Sequence, residues 1–235
     1  MIDFYGDFKN FSMDKMGLSG MDFHYWEKSQ ERIYSNVQVP ATSMTPYIIE
    51  ERKMQVTQLD IFSRMMMDRI LWVTGVVNDY MSTILSAQLL FLDNNLDAGK
   101  DIRMYVDSPG GSVKSGLTIV DTMNLITSDV ATVNTGMAAS MGSILLGNGT
   151  KGKRSALEHS RVMLHQVSSG ASGHIEDIKI SVAEAEKYNQ ILFGLLAGYC
   201  DKDKAQMILD CNRDVWLNSE EALKYGIVDE VLTKK

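Results

Sequence analysis

Apolar and polar positions change their period several times along the chain, and each change marks an element. Ile70-Leu71-Trp72-Val73-Thr74 is a β-rich apolar run closed by Gly75, the pattern of a buried strand. From Asp79 the period turns helical, with Ile84, Leu85, Leu89 and Leu92 on one face. Residues 102–106 predict a second strand, Ser108-Pro109-Gly110-Gly111 a turn, 113–126 a helix and 130–135 a third strand. The small-residue stretch 136–140 then leads into a short helix through Leu146. Strands alternating with helices in this way predict an α/β fold with right-handed crossovers.

The remaining pattern is equally regular. Residues 154–157 and 161–164 read as short strands. Residues 175–199 carry the longest helical period, with Ile178, Val182, Ala185, Ile191, Leu192, Leu195 and Leu196 apolar. Val215-Trp216-Leu217 predicts a strand, Asn218 or Ser219 a helix cap, and Gly226 the end of that helix, with a last strand from Ile227. Residues 1–40 show neither period and are rich in methionine, aromatic residues and glycine. They predict an N-terminal extension (a propeptide, a gate or a tail) ahead of one domain over 41–235.

Composition narrows the function classes. Hydrophobic residues make up 45% and charged residues 23%, which excludes a disordered chain. A net charge of -7 without a basic stripe argues against a nucleic-acid partner. No apolar run approaches the about 20 residues that span a bilayer, and Asp3 and Asp7 stand where a secretory leader would start positive. Cys200 and Cys211 cannot build a disulfide framework and lack zinc-site spacing. A cytoplasmic protein without membrane contact or metal is the expectation.

Two stretches carry candidate chemistry. In Gly136-Met137-Ala138-Ala139-Ser140-Met141-Gly142 a strand end, four small residues and a helix start would lift a serine out of the surface, as in a nucleophile elbow. Position 138 is alanine where the elbow motif has glycine, and a packing turn fits the segment equally well. In Asp107-Ser108-Pro109-Gly110-Gly111-Ser112 a glycine pair would let backbone N–H groups face an anion or oxyanion. A P-loop is excluded because no Gly-Lys-Ser or Gly-Lys-Thr follows. Of His24, His159, His165 and His174, His165 is the best-placed base, because it ends the apolar run Val162-Met163-Leu164. An orienting carboxylate would come from Asp201, Asp203, Asp210, Asp214 or Asp229, which spacing alone does not rank.

These blocks together, with Asp60-Ile61-Phe62-Ser63-Arg64, Asp121-Thr122-Met123, Gly152-Lys153-Arg154, Ser160 to Gln166 and Tyr225-Gly226-Ile227-Val228-Asp229 in the same order, resemble the Clp proteolytic subunits, the ClpP family of serine peptidases. The resemblance covers about residues 47–232. It implies a crotonase-like fold of repeated β-β-α units with a protruding handle, here about 174–200, and an axial-loop region at about 47–58. It implies Ser140 as nucleophile, His165 as general base, Asp210 as orienting acid, and the backbone N–H groups of Gly111 and Met141 as oxyanion hole. Two stacked heptameric rings enclosing a chamber, a tetradecamer, are implied as well. So is a separate AAA+ unfoldase of the Clp type that uses the ATP and delivers unfolded protein. No cofactor is implied in this chain.

The sequence departs from the family pattern in places. Gln166-Val167 replaces the usual Gln-Pro beside the base. The positions matching the ATPase-docking pocket are Arg103, Tyr105, Val133, Thr135, Ser155 and Leu157, of which Arg103, Thr135 and Ser155 are polar. Leu209 stands where many relatives carry arginine, and the stretch before residue 41 is longer than usual. Two competing functions remain on sequence grounds. An acyl-CoA hydratase or isomerase of the crotonase type would put Glu or Asp where Ser140 stands. A non-catalytic ring subunit would lack a triad residue.

Overall fold

The computed structural model describes residues 47–52, 55–94 and 99–234. The 1–40 extension lies outside the described residues, as does His24. Strands β1 (Tyr47–Arg52) and β2 (Gln55–Asp60), where the axial-loop region is expected, form a small two-stranded sheet. Asp60 then caps α1 (Ile61–Met67), its carboxylate accepting from the Phe62 and Ser63 amides.

Among the described residues the main sheet has seven strands. Its path runs β3 (Ile70–Val77), β4 (Ile102–Gly111), β5 (Val130–Ala139), β6 (Arg154–Leu157) and β9 (Glu230–Leu232), all parallel. Off this path β7 (Arg161–Leu164) pairs parallel with the far end of β5, and β8 (Val215–Asn218) pairs antiparallel with β7. Parallel neighbours require crossovers. These are α2 (Asp79–Asp93) between β3 and β4, and α3 (Val113–Leu125) between β4 and β5. The short α4 (Met141–Gly147) follows β5 and is buried along its whole length.

Alternation along β4 sets the two faces. Ile102, Met104 and Val106 are fully buried, against Leu85, Leu89 and Leu92 of α2 and Ile119, Val120 and Met123 of α3 in one continuous core. Ile84, expected on the same helix face, instead lines a half-open apolar cleft with Phe62, Trp72 and Tyr80. On the sheet's other face the register sets Trp72, Tyr105, Val133, Ser155 and Glu230 in one row across five strands. Trp72 stacks on Tyr105 at 5.0 Å, and Ser155 Oγ donates to Glu230. All six expected docking positions except Arg103, Thr135 and Leu157 belong to this row, and those three follow it at the two-residue period.

Two strands outrun the expectation. β4 and β5 continue through the segments that predicted turns, as far as Gly111 and Ala139. The ladder accommodates this by shifting register between Thr74 and Val76 and between Val106 and Ser108. The expected last strand starts three residues late, because Ile227 and Val228 are buried in the turn that follows Gly226.

The long α5 (Ile175–Tyr199) spans the residues where the handle is expected. Only its last third is buried, through Leu192, Phe193, Leu196 and Ala197, whereas Ile180 is 68% exposed. α6 (Lys204–Asp210) follows, and α7 (Ser219–Tyr225) is held by a capping box between Asn218 and Glu221. Among the described residues, no helix is long and apolar enough to cross a membrane.

Candidate active site

Ser140 sits at the junction of β5 and α4 with φ 53° and ψ -123°. That backbone region disfavours L-residues with a Cβ and costs on the order of 1–3 kcal/mol, so the surroundings must enforce it. They do. The Ser140 N–H donates to Met163 O of β7 at 3.0 Å, and its carbonyl accepts from the Ser143 hydroxyl at 2.6 Å and the Ser143 amide at 3.0 Å. The sharp turn leaves the Ser140 hydroxyl within hydrogen-bond reach of the residue that follows β7.

The Gly-Gly strand end lies directly against this elbow. Gly110 adopts φ 90°, and a Cβ there would stand 2.6 Å from the Ser140 Cβ and 2.7 Å from Ala139 O. Gly111, at φ 150°, would put a Cβ 2.3 Å from Val77 O. Only glycine permits both approaches. The Ser108 hydroxyl fixes the segment, donating to Gly75 O at 2.6 Å and accepting from the Gly110 N–H at 3.1 Å.

His165 leaves the end of β7 with its Nε2 2.8 Å from Ser140 Oγ. Its side chain is 21% exposed and faces a small cleft of about 50 Å³ that holds Ser140, Gly111, Val167 and Leu192 in its lining. The other two described histidines are elsewhere: His159 is exposed and His174 precedes α5 in solvent.

Asp210 is not beside His165, contrary to the expectation. It ends α6, and its carboxylate accepts from the Tyr225 hydroxyl at 2.7 Å and Gln206 Nε2 at 2.7 Å, with Lys202 Nζ at 3.1 Å. The Tyr225 hydrogen bond, helped by Gln206 and Lys202, holds the Asp210 carboxyl below its usual range. Burial and the same bond push the Tyr225 hydroxyl up. Lys202 also lies 3.3 Å from the centre of the Tyr225 ring.

The carboxylate that faces His165 is Asp214, whose Oδ1 stands 3.6 Å from His165 Nδ1. The sheet register gives the reason. β7 and β8 run antiparallel with Leu164 opposite Val215, so one step further along the pair sets His165 opposite Asp214. Asp201 pairs with Lys151, and Asp229 with Arg154, so neither is available. Both strands are legible in the sequence; the signal that would have singled out Asp214 is their pairing, which no local pattern carries.

A serine at a strained strand-to-helix elbow, in hydrogen-bond contact with a histidine that a carboxylate faces, defines the active-site class of serine hydrolases. Comparison with known proteins narrows the class. The profile of the family described as Clp protease matches residues 52–235. The ATP-dependent Clp protease proteolytic subunit of Bacteroides thetaiotaomicron is 48% identical over 229 residues, 97% of this chain and 99% of the relative. That of Bacteroides fragilis is 53% identical over 192 residues, 82% of this chain and 92% of the relative. That of Porphyromonas gingivalis is 42% identical over 228 residues, 97% and 98% of the two chains. The chain belongs to the Clp protease family, a family of peptidases. At 97% coverage of this chain, the longest of these matches reach into residues 1–40.

Proposed function

We propose that the chain is the proteolytic subunit of an ATP-dependent Clp protease, a serine endopeptidase that cuts unfolded polypeptides to short peptides. The observation that carries the reading is the 2.8 Å contact between Ser140 Oγ and His165 Nε2 at an elbow the fold holds under strain. Ser140 Oγ attacks the scissile carbonyl carbon while its proton passes to His165 Nε2. Asp214 keeps the proton-bearing Nδ1 of the imidazole in place and stabilises the imidazolium. The Gly111 and Met141 N–H groups receive the oxyanion. Collapse of the tetrahedral adduct breaks the C–N bond, and His165 returns the proton to the departing amine. Water, deprotonated by the same imidazole, then releases the acyl group from Ser140.

The assembly belongs to the proposal as well. Two stacked heptameric rings would enclose the sites, with the exposed apolar positions of α5 meeting across the rings. A separate AAA+ unfoldase of the Clp type would spend the ATP and deliver substrate in the cytoplasm. Its docking surface would be the outer row and its neighbours, Arg103, Tyr105, Val133, Thr135, Ser155 and Leu157. Labelling with a fluorophosphonate followed by peptide mapping tests the chemistry. Covalent attachment at Ser140, lost in Ser140→Ala, is expected. Attachment at another residue, or none in the assembled protein with its ATPase, would overturn the serine-peptidase reading.

A further inference from the structure

We infer that Asn189 of the handle helix is a positioning residue for the substrate-binding wall of the active-site cleft. The inference rests on the reading of Ser140 and His165 just given. Beyond Leu164 the chain belongs to no strand or helix until α5 begins, yet Gln166, Val167 and Ser168 line the cleft beside Ser140 and His165. A wall of this kind has no ladder of backbone hydrogen bonds to hold it. Asn189 replaces part of that ladder: its side-chain oxygen accepts the Val167 N–H at 2.6 Å, across 22 residues of sequence.

The helix period joins this tie to the cleft floor. Leu192 and Leu196, three and seven residues beyond Asn189, line the same cleft from the same face of α5. Floor and wall are therefore set by one helical surface, with Leu192 and Leu196 supplying apolar contact and Asn189 fixing the register of the wall. Val167 carries the N–H that makes the tie possible, at a position where the sequence departs from the family's proline. The other tie to the wall, from Gln166 Nε2 to Asn212 O, is long at 3.3 Å and exposed.

Catalytic geometry is held separately. Ser140 is anchored to Met163 of β7, and His165 follows that strand directly. Loss of the Asn189 tie should therefore loosen the bed of an extended substrate while leaving the reactivity of the nucleophile intact.

The test compares a peptide that fills the cleft with a small reagent that does not. Asn189→Leu keeps the volume and removes the acceptor; Asn189→Asp keeps the acceptor. In assembled Asn189→Leu, kcat/KM for an extended fluorogenic peptide should fall about tenfold, mainly through KM, the weight of one unmade hydrogen bond to a backbone amide. Fluorophosphonate labelling of Ser140 should stay within about twofold, and Asn189→Asp should retain most peptide activity. Peptide turnover unchanged in Asn189→Leu would overturn the inference. So would an equal loss in both assays, or Asn189→Asp failing as badly as Asn189→Leu. If Asn189→Leu does not assemble, Asn189→Ala reads the same difference. Failure of the parent protein to label would instead refute the serine-peptidase reading, so the two failures are distinct.

Discussion

Replacing Asp214 and Asp210 in turn by asparagine separates the carboxylate that faces His165 from the one the family resemblance implies. In Asp214→Asn the group facing His165 Nδ1 loses its charge and presents an amide. A unit charge pair at the observed 3.6 Å is worth about 1 kcal/mol in water and about 5 kcal/mol at an effective dielectric constant of about 20. The Asp214 side chain is 60% exposed, so solvent screening places the interaction toward the lower end. An imidazolium stabilised by about 1–2 kcal/mol in the transition state corresponds to a fall in kcat of about five- to thirty-fold. A buried, hydrogen-bonded acid would cost far more, about 10⁴-fold, because an asparagine there also fixes the wrong tautomer.

Asp210→Asn should act on stability instead. It weakens the bonds from Tyr225 and Gln206 and discharges the partner of Lys202. Hydrogen bonds to a charged group at a partly exposed site make this about 1–2 kcal/mol of lost stability, with kcat within about threefold of the parent. The assays are steady-state peptide hydrolysis at saturating substrate and denaturant unfolding of the same preparations. A large loss of kcat in Asp210→Asn beside a neutral Asp214→Asn would refute the assignment drawn from the strand register.

Other substitutions probe how the frame is held. Asp229→Ala strips the Arg154 guanidinium, 3% exposed, of its carboxylate and leaves Tyr199 O as its remaining acceptor. Calorimetry or denaturant titration should show about 3 kcal/mol of lost stability, and a loss below about 1 kcal/mol would refute the role of this ion pair. Asp93 accepts from the Thr127 and Ser128 amides and hydroxyls, and these bonds outweigh burial and lower its carboxyl to about 2. A depressed carboxyl stabilises the fold fully above the unfolded value, about 3.9, and loses that contribution as pH falls through about 2. Asp93→Ala should therefore lower the melting temperature at neutral pH, with the gap to the parent narrowing between about pH 4 and pH 2. A gap independent of pH would show that the ionised form is not what matters.

How far the fold can be read from the sequence depends on how far each element's environment is periodic. The strands at Arg154–Leu157 and Arg161–Leu164 and the helix Ile175–Tyr199 agree with their patterns residue for residue. α1 and α6 carry no such signal. Each has seven residues, α6 buries Met207 alone and α1 buries none, so no apolar face repeats. β4 and β5 run past their predicted ends because glycine, proline and serine, the residues that mark turns, here remain extended against neighbouring strands. Local propensity favours a turn, and the ladder overrides it.

The same distinction explains the site. Ser140 and His165 are legible because each is tied to a local feature: the small-residue elbow for one, the end of an apolar strand for the other. An orienting acid has no local signature, since its chemistry lies in what it faces. Asp210 and Asp214 are four residues apart, yet one closes a helix against Tyr225 while the other enters a strand beside the base. What separates them is the antiparallel register of β7 with β8, a contact between segments some 50 residues apart in sequence. A shift of that register by one residue would move Asp214 to the opposite side of the strand and leave His165 without a carboxylate. Leu217, buried opposite Val162, opposes such a shift, because it would turn Leu217 toward solvent while β5 keeps β7 in place. The apolar packing of two short strands therefore places a carboxylate beside His165 as much as the acidic residue itself does.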